Sequence, residues 1–393
     1  MLKSKSFEEK TNLTTLLSTQ QLPIIDLAHM GTEEVPVKSV VNRVANQLHK
    51  AMSERGLAVL VNHGIPEEKL NTAWKYLDSF CELPAEIKDV YLRNRDNGVN
   101  HGYVKPGQEK FDGKKKELRH AFNICMLSGA SLPEDPLPGF RDHVADLTKD
   151  FRNLSSLLLQ ALAVALELPM NYFLERHAHM LSGTNENETT LRLLYYPPVV
   201  EDDNKCELVK GNVSYQYQKC TSDQLNLESL TDKNDVDEGD NDKDDASGLE
   251  KHRGFTRCGA HCDYGTFTLL AQDSEGGLEC KLPQTERWQR VGHLPGSILI
   301  NTGELLSMWT DNKYPALPHR VVVPDDVYCS TKGRHSMAFF CHPDNSTVIA
   351  PIESKILQPI DSEEDLQKKK KKKNILITAY QVVQNKFKQT YSA

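Results

Sequence analysis

Between Phe255 and Phe340 the chain is cut into six short β-like runs, and no other feature of the 393 residues restricts the fold so much. The runs are Thr266–Leu270, Leu278–Lys281, Trp288–Arg290, Ser297–Asn301, Arg320–Val323 and Ser336–Phe340. Asp-Ser-Glu-Gly-Gly, Pro-Gly and Pro-Asp-Asp turns separate them. Runs of this length and spacing pair into a β-sandwich or barrel.

The first half of the chain has a different texture. Val37, Val40, Val41, Val44, Leu48, Ala51 and Met52 recur at helical spacing, and Gly56 is a natural stop. Leu57–Val61 reads as a strand, and Pro66 opens a helix reaching Glu82. Leu92–Gly113 reads as loop with short strands, and Phe140–Leu168 as the longest helix. Leu191–Tyr196 alternates like a strand up to Pro197-Pro198, and Ile375–Tyr391 returns to helical spacing. The expected organisation is a polar leader (1–21), a helical and β region (22–180), a β core (181–356) and a lysine-rich loop with a final helix (357–393).

Composition excludes several classes. A net charge of −8 gives no basic field for nucleic acid, and no apolar run approaches a membrane span. The first twenty residues lack the apolar centre of a signal peptide, and the nine scattered cysteines form no Cys-x-x-Cys pair. Reduced thiols in a cytoplasmic protein are expected. Residues 201–253 read as a disordered insertion, because Glu228–Asp245 holds nine acidic residues and almost nothing apolar to bury. The lysines of Lys368–Lys373 read as a solvated charged loop, with nuclear import as the alternative.

Chemistry concentrates in Cys258-Gly-Ala-His-Cys-Asp-Tyr-Gly265. On a strand, residues i and i+2 share a face, so His261 and Asp263 can reach one point while Cys262 turns away. His319 stands at the mouth of a later apolar run. Two imidazoles and one carboxylate leave three positions of an octahedral metal open, the arrangement of non-haem iron(II) oxygenases. Arg334 and Ser336 form another i, i+2 pair, suited to gripping a carboxylate one strand away from the metal.

Taken in order, Leu22-Pro-Ile-Ile-Asp-Leu27, Val61-Asn-His-Gly-Ile65, Leu191-Arg-Leu-Leu-Tyr-Tyr-Pro-Pro198 and His261-Cys-Asp-Tyr-Gly-Thr-Phe-Thr-Leu-Leu270 carry a resemblance. Gly276-Gly-Leu278, Ile300-Asn-Thr-Gly303, Trp309-Thr310, His319-Arg-Val321 and Arg334-His-Ser336 extend it. The chain resembles the 2-oxoglutarate- and iron(II)-dependent oxygenases of the isopenicillin N synthase-like family. The resemblance implies a mainly β fold with α: a double-stranded β-helix (jelly-roll) core, an N-terminal helical region and a C-terminal helix. It implies iron(II) on His261, Asp263 and His319, with 2-oxoglutarate on Arg334 and Ser336 and Tyr196 joining that grip. The implied reaction uses O2, releases succinate and CO2, and hydroxylates or desaturates a small organic molecule. Leu194 replaces an asparagine common in plant members, Cys262 a Thr or Ser, and His335 a tyrosine.

Two other readings compete with this one. A same-fold oxidase of the ethylene-forming or penicillin-forming type draws electrons from its substrate or from ascorbate instead of 2-oxoglutarate. A non-catalytic binding protein would show a lost ligand, and none is lost. His63, His101, His120, His293 and His342 are expected to be structural, with His63 holding a loop. Trp288, Trp309, Phe339 and Phe340 are expected in the core.

Overall fold

In the computed structural model the residues described are 17, 22–30, 37–94, 99–109, 117, 119–182, 184, 186–202, 205–208, 215–218, 256–283, 287–323, 333–352, 354, 357 and 377–391. Glu228–Asp245 and Lys368–Lys373 lie outside them. Among the described residues no helix is long and apolar enough to cross a membrane.

The first half supplies β1 (Ile24–Asp26), α1 (Lys38–Glu54), β2 (Leu57–Val61), α2 (Glu67–Glu82), α3 (Ala85–Asp89), β3 (Gly102–Val104), β4 (His120–Ile124) and α4 (Phe140–Ala165). Then come β5 (Thr190–Tyr196) and a meander of β6 (Val199–Asp202), β7 (Lys205–Leu208) and β8 (Tyr215–Gln218). That meander begins at Val199 and runs into the insertion, 201–253, expected to be disordered. Tyr215-Gln-Tyr-Gln218 alternates aromatic with polar residues, a strand pattern that the acidic stretch beyond it lacks.

The second half runs β9 (Thr256–His261), β10 (Phe267–Gln272), β11 (Leu278–Lys281), β12 (Trp288–Arg290), β13 (Ile298–Thr302), α5 (Glu304–Trp309), β14 (His319–Val322) and β15 (Arg334–Cys341). The chain ends in β16 (Val348–Ile349), β17 (Ile377–Thr378) and α6 (Ala379–Tyr391). An eight-stranded sheet has the order β1-β2-β13-β10-β15-β5-β4-β3, and a four-stranded sheet the order β12-β11-β14-β9. The six expected runs are all strands here. The N-terminal region does more than pack on the core, since β1 to β4 complete both flanks of the large sheet.

The large sheet is buried on both faces, and its side chains sort by parity. On β5 and β15 the odd-numbered Leu191, Leu193, Tyr195, Met337, Phe339 and Cys341 join the larger apolar core with Val44 and Leu48 of α1 and Phe151 and Leu158 of α4. Phe151 stacks on Phe339 at 5.6 Å. The even-numbered Arg192, Leu194, Tyr196, Arg334, Ser336, Ala338 and Phe340 face the space enclosed with the second sheet. A strand's period of two therefore assigns stability to one face and the site to the other.

Two aromatic expectations change. Trp288 is half-buried on an edge strand, where Arg320 and Lys281 lie over its ring at 4.3 and 5.1 Å. Phe340 lines the central cavity rather than the outer core, because its parity turns it inward. Trp309 and Phe339 are buried in the larger core. His63 ties its loop, accepting from Ile65 N at 3.2 Å and donating to Gly296 O at 3.1 Å.

His335, between the two inward residues of β15, points out and clamps α2. Its Nε2 donates to Asp78 Oδ1 at 2.9 Å, its Nδ1 lies 3.5 Å from Asp273 Oδ2, and its ring stacks on Tyr195 at 4.8 Å. Burial alone would lower its pKa, but the hydrogen bonds to Asp273 and Asp78 outweigh that and push it up to about 9. A raised folded-state pKa stabilises fully below the unfolded value of 6.5 and is lost as pH climbs through about 9. The contribution is on the order of 2–3 kcal/mol. His335→Gln should therefore lower the thermal midpoint by several degrees near pH 6, with the gap to wild type closing by about pH 10. Thermal denaturation of both proteins across that range measures it.

Candidate metal and anion site

The site is built where the chain leaves one sheet for the other. His261 is the last residue of β9 in the small sheet, and Asp263 lies in the link to β10 of the large sheet. So the two are not both on a strand, as the i, i+2 spacing suggests; the crossing itself aims them together. His319, the first residue of β14, pairs directly with His261 across the small sheet, and a register shift follows it. His261 Nε2 and His319 Nε2 stand 3.7 and 3.6 Å from Asp263 Oδ1. Ligand atoms of all three lie within 4.8 Å of one another, the one such cluster among the described residues.

The link is held by close backbone contact. Asp263 O accepts from Glu304 N at 2.8 Å, and Gly303 N donates to Thr266 O at 3.1 Å, which docks the start of α5 under the loop. A Cβ on Gly303 would run into the Gly265 carbonyl, and one on Gly265 into the Cys341 carbonyl. Glycine is needed at both positions for the close approach.

The donor set fits a divalent metal. His261 Nδ1–H donates to Gly259 O at 2.8 Å and His319 Nδ1–H to Leu317 O at 3.0 Å, which leaves both Nε2 lone pairs facing Asp263. Burial lowers the pKa of His319, favouring the neutral, ligating imidazole. Burial would raise Asp263, yet His319, His261 and the Asn301 amide together hold it below its ordinary value. Asn301 Nδ2 donates to Asp263 Oδ2 at 2.8 Å, so Oδ1 remains for the histidines. Cys262 does not line the cavity, and burial pushes its thiol up to about 12, where it stays protonated.

Arg334 and Ser336 lie on the large sheet, across the enclosed space from His261 and His319. This corrects the expectation of a neighbouring strand: the grip faces the histidines from the opposite sheet. Arg334 is 1% exposed; its Nη1 donates to Ser336 Oγ at 3.2 Å and its Nη2 to Gln272 Oε1 at 3.1 Å. Its Nε is buried with no hydrogen-bond partner among the described residues. Arg257 nearby is pushed down to about 10 by burial and by Arg334, so positive charge is crowded at this end. A carboxylate would relieve both conditions. Tyr196 sits opposite Arg334 in the ladder with the guanidinium 5.2 Å over its ring, but its hydroxyl accepts from Arg119 Nη1 at 3.4 Å. Leu194 lines the cavity in place of a polar residue.

One cluster went unnoticed in the sequence. Glu109, 2% exposed, receives Arg93 at 3.3 Å, Arg119 at 3.0 Å and Arg192. Burial would raise Glu109, but Arg192, Arg119 and Arg93 hold it well below the usual carboxylate range. Glu117 pairs with Arg119 at 2.7 Å and accepts from Gly259 N at 2.9 Å, two residues from His261. Only the Asn301 of the Ile-Asn-Thr-Gly motif and the Arg192 of the Leu-Arg-Leu-Leu motif carried any sequence signal.

Residues 187–343 match the 2OG-Fe(II) oxygenase superfamily, and residues 22–141 match the N-terminal family named for the non-haem dioxygenase in morphine synthesis. Between them these matches span most of the chain, which belongs to the 2-oxoglutarate/iron(II) oxygenases. It is a 2-oxoglutarate-dependent dioxygenase, with iron(II) as metal and 2-oxoglutarate and O2 as cosubstrates. The 2-oxoglutarate-dependent dioxygenase frbA of Dothideomycetidae sp. is 28% identical over 330 residues, covering 77% of this chain and 80% of that protein. The 1-aminocyclopropane-1-carboxylate oxidase of Dictyostelium discoideum is 25% identical over 346 residues, covering 84% of each. Among solved structures, a full-length Neurospora crassa protein in complex with alpha-KG superposes with a TM-score of 0.67 at 23% identity, over 93% of this chain and 95% of that one. That likeness establishes the shared jelly-roll fold.

Asn301→Ala should weaken divalent-metal binding by roughly 10- to 100-fold while leaving the fold intact, because Asp263 loses the partner that orients it. Titration with manganese(II), followed by calorimetry, reads this directly.

Proposed function

We propose that this dioxygenase hydroxylates or desaturates a small organic molecule inside the jelly roll, with iron(II) held by His261, Asp263 and His319. Arg334 and Ser336 take the distal carboxylate of 2-oxoglutarate, and Tyr196 packs against that grip. One observation carries the reading: two Nε2 atoms and a carboxylate converge on a cavity whose opposite wall presents a buried arginine with a donor to spare. Bound there, iron(II) would couple oxidative decarboxylation of 2-oxoglutarate, giving succinate and CO2, to oxidation of the second substrate.

The chain's own side chains do the positioning. With three protein ligands, a bound iron(II) would have room for a bidentate 2-oxo acid and dioxygen. The Gly259 and Leu317 carbonyls fix the imidazole tautomers, and Asn301 keeps the carboxylate monodentate. Arg334, held by Gln272 and Ser336, meets its anion in a prepared orientation. Leu270, Leu299, Leu317, Val321 and Phe340 supply apolar wall between the polar groups.

The Dictyostelium 1-aminocyclopropane-1-carboxylate oxidase, at 25% identity, is the relative behind the alternative reading, an oxidase that does not consume 2-oxoglutarate. Release of labelled succinate from 2-oxoglutarate separates the two. Iron-loaded protein that neither binds 2-oxoglutarate nor turns it over would overturn the proposal. Arg334→Ala should raise the 2-oxoglutarate requirement by the equivalent of about 2–5 kcal/mol with little effect on metal affinity. Asp263→Ala should abolish metal binding at ordinary concentrations. Equal loss of both affinities in Arg334→Ala would contradict the assigned role.

A further inference from the structure

A second cavity, of about 420 Å³, lies beyond the metal end of the large sheet. A single water needs only ~10–15 Å³ of such space, so the cavity has room for part of an organic molecule. Its lining is mostly polar, with Asn100, Asn345, Ser346, Thr378 and Tyr380 among the contributors. Glu188 is the one carboxylate in that lining, and no Lys, Arg or His joins it among the described residues. The Glu188 carboxylate is half-buried and has one long hydrogen bond, from Asn345 Nδ2 at 3.5 Å, with no ion pair among the described residues. Burial raises its pKa, and the Asn345 bond offsets this only in part. A carboxylate in such surroundings is stabilised by a cation that enters the cavity.

The ladder relates this cavity to the metal. Glu188 stands two residues before Thr190, the first residue of β5. Thr190 pairs with Phe340, Phe340 with Thr268, and Thr268 with Asn301, whose amide holds Asp263. Glu188 is therefore one step of about 7 Å along the strand beyond the row that orients the metal carboxylate. Phe340, in that row, lines the central cavity. The facing wall of the second cavity comes from Thr378 and Tyr380, at the start of α6. The same helix reaches the metal loop, where Lys386 pairs with Glu304 at 2.7 Å and Glu304 N donates to Asp263 O. Arg334 and Ser336 occupy the opposite end of β15, so the Glu188 end is the one left for a second substrate.

We infer that the primary substrate carries a basic amine, and that Glu188 receives its ammonium group in this polar cavity while the rest of the molecule crosses Phe340 toward the metal. This deepens the proposed function and rests on it.

The test uses the full chain loaded with manganese(II) and 2-oxoglutarate. It is titrated by calorimetry with 1,4-diaminobutane and 4-phenylbutylamine and with their neutral twins, 1,4-butanediol and 4-phenylbutan-1-ol. Wild type should bind at least one amine on the order of 10- to 100-fold more tightly than its alcohol. Glu188→Gln should erase that preference with manganese(II) and 2-oxoglutarate affinities unchanged. Glu186→Gln, at an exposed carboxylate two residues away, should keep it. Manganese(II) should also speed the nuclear relaxation of the bound amine's carbon-bound protons, which places them beside the metal. Without any probe, Glu188→Gln should unfold at or above the wild-type temperature, since burial already disfavours the charge; a purely structural role would lower it. An amine bound no better than its alcohol, a preference that survives Glu188→Gln or falls equally in Glu186→Gln, or protons that manganese(II) leaves unrelaxed would each overturn the assignment. Failure of the wild type to bind 2-oxoglutarate at all would instead overturn the proposed function.

Discussion

Charged side chains shut between two β-sheets have to neutralise one another, and the polar contacts around the cavity answer that requirement. Glu109 is held by three arginines, and Glu117 joins Arg119 to the backbone of the strand carrying His261. Asp263 is held by two imidazoles and an amide. Transferring such groups from water costs several kcal/mol each unless partners are in place. Among the described residues Arg334 and Arg192 each keep a buried Nε without a hydrogen-bond partner, and both line the cavity that the His–Asp–His cluster faces.

Burying charge in the middle of a protein would endanger its core, and the fold avoids this by separating the two tasks. The outward face of the large sheet meets α1, α2 and α4 in a core of apolar side chains. The inward face can then give its positions to Arg192, Tyr196, Arg334, Ser336 and Asn301. His335 shows how strict the division is. It sits between Arg334 and Ser336, yet it turns away from the site and ties α2 to the sheet through Asp78 and Asp273.

The crossing between His261 and Asp263 joins the two sheets physically as well as chemically. Asp263 O and the neighbouring backbone accept the first amides of α5, and Gly265 and Gly303 permit the approach. The three candidate ligands belong to a strand end, a strand start and a loop docked on α5.

Much of this was legible in the chain itself. Strand periodicity, turn residues and the order of His261, Asp263, His319, Arg334 and Ser336 determine the fold class, the donor set and the family, because they are local patterns that survive in one dimension. Parity along β15 and β5 even separates inward from outward residues once the strands are known. What only the tertiary structure decided is which charges share a cavity. Glu109 lies in a stretch that reads as loop, Glu117 and Arg119 lie just beyond it with no motif around them, and Arg192 is one arginine in a strand. Asn301 is an amide in a motif with no stated partner. Their roles come from strand pairings that bring residues 83 positions apart into an ion pair and 38 apart into a hydrogen bond. Local sequence cannot encode that neutralisation, since whether a charge is balanced depends on everything the fold places around it. The donor set was therefore readable from the chain, while the pairing of buried charges around the cavity was not.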